Sequence, residues 1–255
     1  MRTLAVLLRF DMKRRVKDGF LIGYNVIFPI VLILLLGYLL SGGYGAKMSG
    51  YHYYTSVMLP FCIAMAIITA AYAGKDEAYK KTAPRLLIAP IQTKHIVVSK
   101  LLSCSLIVSV CNLVVLLFAI IVFRLPVGQN FLIIFLLLMA ETFCVCAIGL
   151  LVGLCMKNFI VIKNLLNIPI CVAGVLAGCF FPFGSMNKVL DFFIRLSPLT
   201  WINRGIFLSV YDKDIRLAVQ MTIILFVFGS IITIAAILKF RKEEFIHGDI
   251  PGYQK

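Results

Sequence analysis

The sequence predicts an all-α integral membrane protein with six transmembrane helices. Three observations carry that expectation. Hydrophobic residues make up 62% of the 255 and charged residues only 14%. Mean hydropathy is +1.01. The apolar residues gather in runs of membrane length, separated by short polar intervals. A bilayer core takes roughly 20 apolar residues per helix, and no soluble domain hides so large an apolar fraction. Residues 1–255 read as one membrane domain, with no room for a separate soluble one. The net charge of +14 would suit nucleic acid, but the bases sit beside apolar runs, so the bilayer headgroups are the expected partner and not nucleic acid.

Residues 1–18 read as an amphipathic helix. Leu4, Leu8, Met12 and Val16 form one i, i+4 row, and Arg9, Lys13 and Lys17 form its neighbour. Such a helix lies in the headgroup plane; the same bases also serve as the positive flank that orients the first span. The apolar stretch after it starts near Phe20 and is too long for a cleavable signal. Spans are expected at 20–40, with a kink at Pro29, and at 54–73, 96–123, 131–155, 164–181 and 217–238. Residues 41–53 form a Gly- and Tyr-rich turn, and Arg124 to Gly128 a tight one. Between the last two spans, aromatics such as Phe181, Phe192, Phe193 and Trp201 mix with prolines and charges. That mixture suggests a re-entrant or interfacial helical hairpin, not a free loop. Six spans put both termini on one side. Basic residues favour that side, which is therefore expected to be cytoplasmic, leaving the hairpin extracellular.

The interval from Lys75 to Lys100 organises the rest. Acids come first (Asp76, Glu77), then bases (Lys80, Lys81, Arg85), then the ridge Leu86-Leu87-Ile88 between Pro84 and Pro90. Proline suits the first turn of a helix and cannot continue its middle, so the pair reads as start and stop of about one turn. Such a piece cannot cross a bilayer, but it can offer apolar side chains to something else.

Little here supports catalysis. Hydrolase and metalloprotease motifs are missing, the three histidines lie outside the spans, and no phosphate-binding loop follows the GxxxxGK[ST] pattern. All eight cysteines sit in apolar runs without a CxxC pair and read as small buried hydrophobes. Glu141 stands deep in the fourth span. A central acidic residue costs about 2.5–3.5 kcal/mol on insertion, so it should face the bundle interior. There it either lines a substrate path or makes an interhelical hydrogen bond, with Asn112 or a Ser/Thr of the third span as partner. Asn164 and Asn167, ahead of Pro169, either line the inner mouth of a cavity or satisfy backbone groups freed by the proline. The small-residue pairs Gly149/Gly153 and Gly174/Gly178 permit close helix approach, within one bundle in preference to a dimer seam.

The loop resembles the cytoplasmic segment of ABC-2 type permeases, the membrane subunits of bacterial ABC exporters. Glu77, Thr82, Arg85-Leu86-Leu87, Ala89-Pro90-Ile91 and Lys100 follow that family's order, with Lys81 where glycine is usual and Ser99 before Lys100. Gly178, Phe180-Phe181-Pro182, Met186 and Ser197-Pro198-Leu199-Thr200 resemble its fifth span and extracellular hairpin, with Asn187 in place of a proline. The resemblance implies that Glu77 to Gln92 holds a coupling helix docking on a separate ATP-binding subunit. Glu77, Thr82, Pro84, Arg85, Leu86, Leu87 and Pro90 would be its residues, and 1–18 a connecting helix beside it. ATP and Mg would belong to that subunit, with no cofactor or metal on this chain, which would be no enzyme. A second permease chain, identical or related, would complete the transporter. Phe181, Pro182, Pro198 and Trp201 would build the hairpin. The implied function is export of an amphipathic drug, peptide or lipid-like substrate across the bacterial plasma membrane. The rival readings are a secondary transporter, an intramembrane enzyme, and a non-transporting sensor or scaffold on a similar bundle.

Overall fold

Helices alone make up the regular structure among the described residues of the computed structural model, which are 2–41, 49–79, 81–88, 91–156, 159–181, 188–240 and 245. Helix α1 (Arg2–Val16) precedes the first apolar run. Asp18 caps α2 (Gly19–Ile22), its carboxylate accepting from the Phe20 and Leu21 amides. A π turn over Gly23–Ile27 leads into α3 (Phe28–Leu39). Pro29 has no N–H for the carbonyl one turn back, and the wider turn just before it absorbs the mismatch where a kink was expected. Asn25, buried in that turn, donates to the Leu21 carbonyl at 2.8 Å.

Helices α4 (Gly50–Met65) and α5 (Ile67–Tyr79) form one run, broken only at Ala66. The run extends beyond the expected 54–73 at both ends. Lys75, Asp76 and Glu77 therefore occupy the last turns of a helix instead of opening a loop. The stop is a Schellman motif: Lys81, at φ 54°, donates to the Ala78 carbonyl at 3.1 Å, and Thr82 donates to the Glu77 carbonyl at 2.9 Å. Helix α6 (Ala83–Ile88) follows, then α7 (Thr93–Phe123), which Arg124 ends in the left-handed region. Helix α8 (Phe131–Cys155) matches expectation. Helix α9 (Phe159–Leu176) lies earlier in the chain than the expected 164–181, because Gly178, at φ 73°, turns the backbone out of the helix. The polar stretch after it holds α10 (Lys188–Leu196) and α11 (Pro198–Phe207), the helix pair that its aromatics suggested. A π turn over Leu208–Asp212 precedes α12 (Arg216–Leu238).

Among the described residues, five runs are long and apolar enough to cross a membrane: Gly19–Leu39, Gly50–Tyr79, Thr93–Phe123, Gly128–Cys155 and Arg216–Leu238. The expected sixth, at 164–181, is represented by the shorter apolar stretch Asn164–Leu176 of α9. Helix α8 is the central post, with α5 and α12 lying along it. The first contact is backbone to backbone. A Cβ on Gly149 would fall 2.6 Å from Ala70 Cβ and from the Ile67 carbonyl oxygen, and one on Gly74 would fall 3.0 Å from the Gly153 backbone. Gly174 likewise packs under the Phe61 ring. Both small-residue pairs thus serve packing within the bundle. Helices α3 and α12 turn most of their apolar surface outward, as Val31, Ile223, Val227 and Ile234 show, which suits contact with acyl chains.

Candidate functional site

At one end of the bundle α1, α5 and α7 meet around charged side chains that are almost wholly buried. Asp11, Arg15, Lys75, Glu77, Ser99, Lys100 and Ser103 are each no more than 5% exposed. Lys100 forms an ion pair with Glu77 and donates to the Ala73 carbonyl at 2.8 Å. Arg14 reaches across from α1 to Asp76 at 2.6 Å and Glu77 at 3.1 Å. Ser99 donates to Asp11 at 2.6 Å, and Arg15 donates to Ser103 at 3.0 Å. Burial pulls the Arg14 pKa down, but Glu77, Asp76 and Asp11 outweigh it and hold the guanidinium above its usual value. Charges this deep in a bundle are tolerated only when paired, so the network clamps α1 to the two long helices.

The clamp revises the face expected of α1. The row Leu4, Leu8, Met12 is half-buried toward the bundle, but Val16 is exposed, and Asp11 and Arg15 take the innermost positions. Val6 and Phe10 point away. Hydrophobic patterning alone gave no sign of this, because the partners of Asp11 and Arg15 lie 88 residues along the chain.

Helix α6 stands just beyond the clamp. Ala83 is fully buried and Pro84, in the first turn, is exposed. Leu86 and Leu87 are half-buried and pack on the cluster of Ile96, Val97, Leu101 and Leu154. Ile88 is 85% exposed. The ridge Leu86-Leu87-Ile88 is thus divided: two leucines anchor α6 to its own chain, and the isoleucine is offered outward. Glu77 and Thr82 belong to the base of the loop, one in the ion pair and the other in the Schellman turn. Arg85 lies in α6, its side chain outside the described residues, as Pro90 is entirely.

At the opposite end, side chains hold the turn after α9. Tyr53 donates to the Gly178 carbonyl at 2.8 Å and Tyr54 to that of Phe180 at 3.2 Å. From the helix pair, Ser197 donates to the Ala173 carbonyl at 3.1 Å and Asn203 to that of Ala177 at 3.2 Å. The Asn203 bond takes up a carbonyl just past the helix end, and the Ser197 bond adds to one that already accepts from the Ala177 amide. Trp201 is half-buried and donates to the Arg195 carbonyl at 2.8 Å; Phe181 and Pro198 are exposed, and Pro182 falls outside the described residues. Tyr53 was expected at the end of the Gly- and Tyr-rich turn and Tyr54 at the start of the second span, neither as an anchor for the turn after α9.

Between these ends lies a cavity of about 350 Å³, walled by α4, α5, α8, α9, α11 and α12. Glu141 lines it and is 2% exposed. Neither of its carboxylate oxygens has a hydrogen-bond partner among the described residues. The expected partner Asn112 instead donates to Thr142 at 2.9 Å, the next residue along α8. Asn164 is exposed and Asn167 half-buried, and neither lines this cavity; α9 contributes Pro169, Ile170 and Ala173. The structure does not bring the two asparagines to Glu141. No cluster of metal-ligating side chains occurs among the described residues.

A family model described as ABC-2 type transporter matches residues 2–211, from α1 through the π turn after α11. The comparison with curated proteins gave no match. The matched stretch includes the clamp, α6, the Glu141 cavity and the helix pair. The chain therefore belongs to the ABC-2 type transporter family and is a membrane permease component of an ABC-type transporter.

Proposed function

We propose that this permease is one half of an exporter that moves an amphipathic substrate out across the bacterial plasma membrane, driven by ATP hydrolysed on a separate subunit. The observation that carries the proposal is the mounting of α6. Its leucines are fixed to the bundle, Ile88 is turned out, and the buried ion network lies directly behind it. A short helix held this way moves as a rigid part of α5 and α7. A push on Ile88 by a docked subunit would therefore tilt long helices instead of bending a loop. ATP and Mg would be bound by that subunit, and both termini and α6 would face the cytoplasm. A second permease chain, a copy or a relative, would form the other half, with six crossings per chain once α9 is counted.

The test is co-expression with candidate ATP-binding chains from the same genome, followed by purification and ATPase assay in proteoliposomes. The expected result is a complex whose ATP turnover drives uptake of substrate into inverted vesicles. Uphill transport by this chain alone would overturn the proposal. So would labelling of a cysteine placed at Ile88 by an impermeant reagent applied outside intact cells.

A further inference from the structure

Helix α8 buries a carboxyl group that its own chain leaves unused. An apolar side chain at position 141 would avoid an insertion cost of about 2.5–3.5 kcal/mol. No described neighbour returns that cost: both Glu141 oxygens are unpartnered, and the nearby amide and hydroxyl of Asn112 and Thr142 bond to each other. What Glu141 does face is the 350 Å³ cavity, within the size range of small-molecule sites, roughly 300–1,000 Å³.

The cavity has a direction. Glu141, Leu199 and Ile202 on its wall are buried, whereas Pro169, Pro198 and Phe228 are exposed. It therefore opens at the surface of this chain, between α9 and α12. Glu141 is the sole acidic or basic side chain in its lining among the described residues. A metal ion would want several oxygen ligands, and this wall supplies one carboxyl group. An anionic amphiphile brings no counter-charge to an acidic group, and a neutral one gives its ionised form nothing to pair with. An apolar body with one positive charge satisfies both wall and carboxylate.

We infer that the cavity is a binding site for lipophilic monocations, with the Glu141 carboxylate as their counter-ion. The inference gives the proposed exporter a substrate class and rests on that reading only for the direction of movement; binding itself needs neither ATP nor a partner subunit.

The experiment is equilibrium binding of radiolabelled tetraphenylphosphonium to the purified permease in nanodiscs, without nucleotide, with empty nanodiscs as background. Saturable binding is expected, resisting competition by neutral triphenylphosphine oxide. Glu141→Gln should weaken it at least about tenfold, the loss expected for a buried charge-assisted contact. Glu141→Asp should keep most of it. Ala173→Leu, which narrows the cavity without touching charge, should also weaken it. Thermal unfolding of each variant reports that the fold is retained, and Glu141→Gln, which removes an unpaired carboxyl group, should melt no lower than the parent. Absence of saturable binding to the parent, or equal affinity in Glu141→Gln, overturns the inference. Glu141-dependent binding that never stimulates ATP turnover of the assembled complex would leave the site standing and sink the exporter reading. Turnover stimulated only by neutral amphiphiles, indifferent to Glu141→Gln, would do the reverse.

Discussion

Glu77, near the end of α5, and Lys100, near the start of α7, form a direct ion pair with side chains 2% and 1% exposed. The pair ties together the two helices from which the α6 loop is strung, and Arg14 brings α1 into the same knot. Removing one partner strands the other as a buried charge, which costs about 3–5 kcal/mol. Glu77→Gln and Lys100→Met should each lower stability by that order, while the double variant should recover much of the loss. Denaturant unfolding in detergent, read as a double-mutant cycle, checks it. Losses that simply add would mean that the two side chains do not act as a unit.

The division of labour within α6 gives opposite expectations for adjacent residues. Leu87 is half-buried on the core, so Leu87→Ala should destabilise by about 1–2 kcal/mol, below the range for fully buried leucines. Ile88 touches little of its own chain, so Ile88→Asp should leave the melting temperature unchanged. If α6 is where the ATP-binding subunit docks, Ile88→Asp should nevertheless uncouple ATP turnover from substrate movement. Coupled transport unchanged in Ile88→Asp would remove Ile88 from the docking surface.

Lys81 adopts a left-handed conformation that costs an L-residue about 1–2 kcal/mol. The resemblance marked this position as one where glycine is usual, and the Schellman turn supplies the reason: glycine at that place carries no Cβ penalty. Lys81→Gly should therefore be tolerated and raise stability by up to about 1 kcal/mol. A β-branched residue such as valine should be poorly accommodated. Thermal unfolding of the two variants separates them by sign.

The long apolar runs α7, α8 and α12 were legible in the sequence because membrane length and composition dictate them with little help from the rest of the fold. Helix α9 was legible only in outline, since its end depends on the backbone turning at Gly178. The charged knot was hidden for a different reason. Asp76 and Glu77 look like loop residues beside apolar neighbours, and only the approach of Arg14 and Lys100 allows Glu77 to be buried. Glu141 was visible as an oddity in α8. Its neighbours were not, and Asn112 turned out to bond to Thr142 instead.

The closest helix contact yields the last prediction. Gly153 has no room for a side chain, because α5 passes so near that Ala71 and Gly74 fill the space where a Cβ would stand. Those neighbours are backbone atoms and cannot rotate away, so Gly153→Val must push the helices apart. Separation would strip contacts from Gly149 as well, one turn back on the same face, and would move α5 together with Glu77. The expected loss exceeds the 1–3 kcal/mol typical of an overpacked site, and it should show as poor yield and a lowered melting temperature. Gly19→Ala is the control: a Cβ there meets nothing within 4 Å, so it should behave like the parent. Because the contact lies inside one bundle, cross-linking between chains in surviving Gly153→Ala protein should match the parent. A change in oligomeric state without a change in stability would instead place the Gly149/Gly153 face at a seam between chains.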